Sequence, residues 1–247
     1  MNGPSNAAQF PKQLTTLLVI VVIAAVAYAA IDFLVDQPLL QPTPTPGDVI
    51  TVLSPAPLPV LPHETGILFQ DNFDDSIGSW GLSPVGQAEY AGGGIILTDN
   101  SYTDIGWARP YLKFDNFILD VDSRWLGGAV GGTYGLQFRF QDEANFYGFY
   151  IRNDGWYTIA KNLNGEWQVL SESFSPAIDR LGGVNHFHIE ANGQNLRFFI
   201  NNVYLFDVNG LGSSAGDIIF VAMKVEETEQ IQVGFDNLVI AFYPSDR

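Results

Sequence analysis

An all-β domain built from two packed antiparallel sheets, carried on a membrane anchor and a proline-rich stalk, is predicted from three features of the 247-residue chain. Beyond residue 65, short runs of β-branched and aromatic residues alternate with Gly, Asn and Asp about every 8–12 residues, which is the punctuation of a sandwich. No long 3.6-residue apolar period occurs in that part. Ahead of it lie one uncharged apolar run and one cluster of prolines. With 47% apolar and 15% charged residues, the chain can bury a core and is not broadly disordered.

Residues 1–12 form a short N-terminus, and 13–35 a membrane-spanning helix. From Gln13 to Ile31 there is no charge, and that length of helix reaches about 28 Å, close to the thickness of a bilayer core. Lys12 precedes the run and Asp32 and Asp36 follow it, so the positive-inside rule puts the N-terminus in the cytoplasm and the rest outside. A cleaved signal peptide is the competing reading, with Ala27-Tyr28-Ala29 as a small-x-small site. Against it, the apolar run is longer than a signal's and resumes at Phe33-Leu34-Val35.

Residues 36–65 are a Pro/Thr-rich linker. Prolines at 38, 42, 44, 46, 55, 57, 59 and 62 remove backbone donors and push their predecessors out of the α region, leaving an extended, semi-rigid spacer.

The domain spans 66–243. Strands are predicted at Gly66–Phe69, Gly94–Thr98, Phe117–Trp125, Tyr134–Gln141, Phe146–Asn153, Trp156–Asn162, Glu166–Ser173, Asn185–Ala191, Asn195–Ile200, Val203–Val208, Asp217–Val225 and Ile231–Phe242. Asn153-Asp154-Gly155, Asn162 to Gly165, Asn192-Gly193 and Asn201-Asn202 supply residues that tolerate the positive φ of tight turns. Alternation puts Leu136, Phe138, Phe140, Tyr147, Phe149 and Ile151 inside, and Gln137, Arg139, Tyr150 and Arg152 outside. His186, His188 and Glu190 likewise oppose Phe187, Ile189 and Ala191. An outward row mixing amides, guanidinium and rings suits sugar recognition, or is an ordinary solvated face.

The order of motifs carries a resemblance. DNFDD at 71–75, the run YGLQFRFQDEANFYGFYIRNDGWYTIAKNLNGEWQVL at 134–170, NHFHIEANGQNLRFFINNVYLFDV at 185–208 and VGFDNLVIAF at 233–242 resemble the concanavalin A-like lectin/glucanase jelly roll. The nearest branches are the laminin-G-like and 3-keto-disaccharide-hydrolase-like bacterial ones. The resemblance covers the whole domain. It implies a jelly-roll sandwich whose concave face or rim loops bind carbohydrate, with Gln137, Arg139, Tyr150, Arg152, His188 and Trp156 as ligand contacts. It leaves activity open, because one fold hosts lectins, hydrolases and structural modules.

Three readings of function follow: a non-catalytic module for neutral carbohydrate or a cell-envelope partner, an accessory subunit of a membrane complex, and a glycoside hydrolase. For the last, Asp120 with Asp122 and His188 with Glu190 are the carboxylate and acid/base pairs that share a strand face. The Glu-x-Asp-x-Glu strand of the fold's glucanases is absent. A structural Ca²⁺, as jelly rolls often hold, would draw on Asp71, Asp74 and Asp236. Trp107, Tyr111, Trp125, Tyr134, Tyr150 and Trp156 sit beside Gly-rich or polar turns and are the aromatic ligand candidates.

The net charge of −16 and the lack of cysteine bound the alternatives. The first gives no basic face for nucleic acid and disfavours anionic polysaccharides. The second removes disulfides, thiol nucleophiles and cysteine-ligated zinc. Export without cysteine and without any Asn-x-Ser/Thr sequon fits a bacterial cell surface.

Overall fold

A computed structural model describes residues 66–74, 80–83, 87–99, 105–180, 182–209, 215–224 and 230–243. The anchor expected over 13–35 and the linker over 36–65 lie outside them. Among the described residues there are fifteen strands and no helix. In chain order they are β1 (Ile67–Asp71), β2 (Gly81–Leu82), β3 (Ala88–Ala91), β4 (Gly94–Asp99), β5 (Gly106–Arg109), β6 (Phe117–Gly128), β7 (Thr133–Asp142) and β8 (Asn145–Arg152). There follow β9 (Trp156–Leu163), β10 (Glu166–Phe174), β11 (Val184–Asn192), β12 (Asn195–Ile200), β13 (Val203–Val208), β14 (Asp217–Met223) and β15 (Ile231–Phe242).

The strands form two antiparallel sheets. Sheet A has the order β13-β12-β11-β6-β15-β4-β3, with β1 added to the far half of β15. Sheet B has the order β10-β9-β8-β7-β14-β5-β2. Each predicted strand is present, and the alternation of their side chains builds the core between the sheets. Sheet A contributes Phe117, Leu119, Val121, Phe187, Ile189, Phe198, Val233 and Phe235; sheet B contributes Leu136, Phe138, Phe149, Ile151, Ile159 and Phe220.

Rings join the layers. Phe220 of sheet B stacks on Phe235 of sheet A at 4.5 Å between centroids. Phe149 meets Phe187 edge-on at 4.9 Å and Phe198 at 5.4 Å. Such pairs add about 0.5–1.5 kcal/mol each beyond the area they bury. Trp80 closes one end of the core, its Nε1–H donating to Asp71 Oδ2 at 3.0 Å.

One irregularity redirects the site. The β7–β8 register shifts between Phe138 and Asp142, and Arg139 takes a left-handed φ of 50°. Such a bulge inserts a residue and reverses the alternation beyond it. Arg139 therefore turns inward and Phe140 outward, the opposite of the reading from period alone.

Candidate functional site

Both sheets have an outer face, and the candidate ligand residues divide between them. Gln137, Tyr150, Arg152 and Trp156 belong to sheet B, while His188 lies on β11 of sheet A. The single row expected from the sequence is thus two surfaces on opposite sides of the sandwich.

On the outer face of sheet B lies a second apolar cluster. Tyr150, Ile219 and Val221 are buried in it, with Ile105, Trp107, Phe140, Trp167 and Met223 half-buried around them. Tyr150 is no stacking platform: it is 3% exposed, its ring lies flat across Gly148, and Trp167 leans over it at 6.4 Å. Gln137 is spent holding its hydroxyl, and burial raises the phenol pKa. Arg152 pairs with Asp154. Trp156 stays half-buried at the far end of β9, opposite the exposed Phe174 of β10.

Arg139 does not reach this face at all. It is 1% exposed, and its Nη2 donates to the carbonyls of Asp115 and Gly193 at 3.2 and 2.8 Å. Burial lowers its pKa. Tyr134 is likewise core: its hydroxyl accepts from Asn185 Nδ2 at 3.1 Å, and burial pushes its pKa up to about 12. Trp125 packs on Tyr134 at 5.8 Å. Of the aromatic candidates, Trp107, Tyr111 and Trp156 remain available to a ligand.

The β5 end of the face opens into a shallow groove of about 560 Å³ lined by Arg109, Phe140, Gln141, Asp142, Glu143 and Ala144. Alternation placed Phe140 in the core and Gln141 outward, and assigned Arg109, Asp142, Glu143 and Ala144 no role. The sequence signals for the region were Trp107 and Tyr111, the latter 59% exposed.

The outer face of sheet A carries charge instead. β6 and β11 pair in a register that sets His186 opposite Asp122 and His188 opposite Asp120. His186 Nδ1 lies 2.8 Å from Asp122 Oδ1, and its Nε2 lies 3.0 Å from Asp120 Oδ1. His188 Nδ1 lies 2.7 Å from the same Asp120 oxygen. Its Nε2 is 3.6 Å from Glu190, an ion-pair distance too long for a hydrogen bond, and Arg197 completes the chain on Glu190 at 2.7 Å.

Bonds to Asp120 and Asp122, opposed by burial, raise His186 to about 9. Burial works against His188 as well, but Asp120 and Glu190 carry it to about 9. Burial would lift Asp120, yet the two imidazoles hold it at about 2. Three carboxylates thus face three cations.

Each of the expected calcium ligands accepts hydrogen bonds of its own. Asp71 spends Oδ1 on the Phe73 N–H and Oδ2 on Trp80. Asp74 accepts from Asn72 Nδ2. Asp236 accepts from the Asn237 N–H, and burial, with Asp122 and Asp74 nearby, raises its pKa. Among the described residues no three of His, Asp or Glu are set to hold a metal ion.

The two sheets and their order define the class: the domain is a concanavalin A-like jelly roll. No family profile matches the chain, and no curated protein does. Solved structures do. The carbohydrate binding module CBM66 from Bacillus subtilis superposes with a TM-score of 0.54 at 19% identity, over 66% of this chain and 94% of that one. The β-glucanase of Bacillus licheniformis gives 0.58 at 12% identity, over 72% and 99%. A GlcNAcα1-4Gal-releasing endo-β-galactosidase from Clostridium perfringens gives 0.61 at 10% identity, over 78% and 67%. At these identities the likeness establishes the fold, which these glycan-directed proteins share.

Proposed function

We propose that the chain is a non-catalytic carbohydrate-binding module, held outside the cytoplasmic membrane by the 13–35 span and the 36–65 linker. The observation that carries the binding is the outer face of sheet B. Among the described residues no second layer covers it, yet it presents a buried apolar floor ringed by half-buried Trp107, Phe140 and Trp167. Planar rings over an apolar floor, bordered by amide and charged groups, match the alternately apolar and hydroxylated surface of a neutral sugar. The fold's presence in a carbohydrate binding module and in glycosidases supports the ligand class.

Three features favour binding over hydrolysis. Of the carboxylates on this face, Asp217 holds Arg109, Asp142 accepts from the Ala144 N–H and Asn145 Nδ2, and Glu172 accepts from Thr158 at 3.3 Å at the β10 edge, which leaves Glu143 at the groove without a carboxylate partner for two-carboxyl hydrolysis. The Asp120/Asp122 and His188/Glu190 pairs lie on the other sheet. There Asp120 is ionised below pH 7, and both imidazoles are protonated well above it, so neither is matched to proton transfer near neutrality. Finally, Gly212-Ser213-Ser214-Ala215-Gly216 has the spacing of a nucleophile elbow. That motif needs a strand before it and a helix after it, whereas Gly216 leads straight into β14.

The test is migration of the full chain, in mild detergent, through native gels cast with neutral polysaccharides. Retardation by one glycan, lost on Trp107→Ala, is the expected result. Free migration through mixed-linkage β-glucan, galactan, levan and mannan alike refutes the carbohydrate reading and turns attention to a cell-envelope protein or membrane-complex partner. Resistance of the chain to carbonate extraction, with the domain open to external protease, tests the anchor.

A further inference from the structure

At the β5 end of sheet B's outer face, one arginine is held with unusual care. Asp217, almost wholly buried, accepts from Arg109 Nε at 2.8 Å and from the Leu112 N–H at 3.2 Å. It also accepts from the Ile218 N–H at 2.8 Å. One carboxylate thereby fixes both the guanidinium and the chain three residues on. The guanidinium carbon then sits 4.5 Å from the Tyr111 ring centroid and 5.1 Å from that of Phe140. Arg109 Nη1 and Nη2 have no partner among the described residues.

Tyr111 pays for its place there. Its φ is 58°, a left-handed conformation that is strained for a bulky residue and persists only where surroundings enforce it. Its ring folds back over Gly81, where a Cβ would come within 2.3–2.6 Å of ring atoms and hydroxyl. Only glycine at 81 admits the ring. Strain is thus spent to keep an aromatic surface 59% exposed beside two unspent donors and an open groove.

We infer that this corner is the primary ligand subsite and that it takes an uncharged sugar presenting a vicinal diol. The inference rests on the carbohydrate reading above. Arg109 donates from Nη1 and Nη2 to two neighbouring hydroxyl oxygens, a fork geometry that guanidinium offers and ammonium does not. Tyr111 stacks its free surface on the sugar's apolar face. Gln141 and Glu143, exposed on the groove wall, accept from the remaining hydroxyls. Asp142 is occupied in the turn by the Ala144 N–H and Asn145 Nδ2. A carboxylate sugar would also fit the fork, but Glu143, Asp142 and the −16 net charge oppose an anion here.

Affinity gels on the full chain separate the possibilities, using mixed-linkage β-glucan, galactan and levan as neutral probes and polygalacturonate as the anionic one. The expected result is retardation by a neutral probe and none by polygalacturonate. Arg109→Lys and Tyr111→Ala should each weaken the dissociation constant tenfold or more, while Tyr111→Phe retains binding. Unchanged thermal unfolding of Tyr111→Ala shows that its loss is not one of folding. Retardation lost in Trp107→Ala but kept in both corner variants overturns the subsite and leaves the carbohydrate reading standing. Preferential retardation by polygalacturonate overturns the neutral-diol assignment. Free migration of the unaltered chain through every neutral probe overturns both.

Discussion

Raising the pH from 6 to 9.5 should remove about 2–3 kcal/mol of the domain's stability through the histidines on sheet A. His186 and His188 move from an ordinary 6.5 to about 9 on folding. A group whose folded pKa is raised contributes stability that is fully present below its unfolded pKa, here 6.5, and lost as pH climbs through its folded pKa, here about 9. Counted from one imidazole, the shift is worth about 3.4 kcal/mol. Seen from Asp120, whose carboxyl falls from 3.8 to about 2, the same contacts are worth about 2.4 kcal/mol. The two histidines share one Asp120 oxygen, so their contributions do not add, and the smaller figure is the better guide because all these side chains retain some contact with water, which screens the pairing.

The charged groups facing the pair are Asp120 and Asp122 from β6, Glu190 on β11 and Arg197 from β12. The three carboxylates, all lowered from their ordinary range by the contacts with these cations, stay ionised over this range. The assay is urea unfolding followed by tryptophan fluorescence. It stops at pH 9.5, before ionisation of tyrosines in the unfolded chain adds a loss of its own through the raised pKa values of Tyr134 and Tyr150. A His186→Asn/His188→Asn variant should show a nearly flat profile. A fall below about 0.5 kcal/mol in the parent, or an equal fall in the variant, would refute the linkage.

Substitutions elsewhere test the packing. Gly148→Ala places a Cβ within 2.3–2.4 Å of the Tyr150 ring, which is walled in by Trp167 and Ile219; thermal unfolding should register a loss of about 1–3 kcal/mol. Phe235→Ala removes half of the closest stacked pair between the sheets and should cost about 3–5 kcal/mol in urea. Asp217→Ala strips acceptors from Arg109, Leu112 and Ile218. It should cost about 2 kcal/mol, less than a fully buried pair because the freed guanidinium can reach water, and it should weaken glycan retardation together with Arg109→Lys.

What the sequence discloses and what it withholds divide along the range of the interactions involved. Strand identity is local, written in alternation and turn residues, and each strand of six or more residues could be read from it. β2, β3 and β5 could not: at two to four residues they hold no period, and only their neighbours in the sheet make them strands. Which way a side chain points is local only while the period holds. Nothing at Arg139 announces a left-handed backbone, since neither Gly nor Asn stands there, so the bulge hid both the burial of Arg139 and the exposure of Phe140.

Which sheet a strand joins is not local at all. Tyr150 and His188 look alike along the chain, as outward residues on amphipathic strands, yet the strand order puts them on opposite surfaces. The same non-locality worked the other way for Asp120/Asp122 and His186/His188. Each is legible as a two-residue pattern, but only the β6–β11 register turns four scattered polar residues into one charge-balanced chain. The ligand corner combines both kinds of information. Tyr111 announces itself beside a turn, whereas its partners come from β5, β7 and β14, which meet only because β14 lies between the other two.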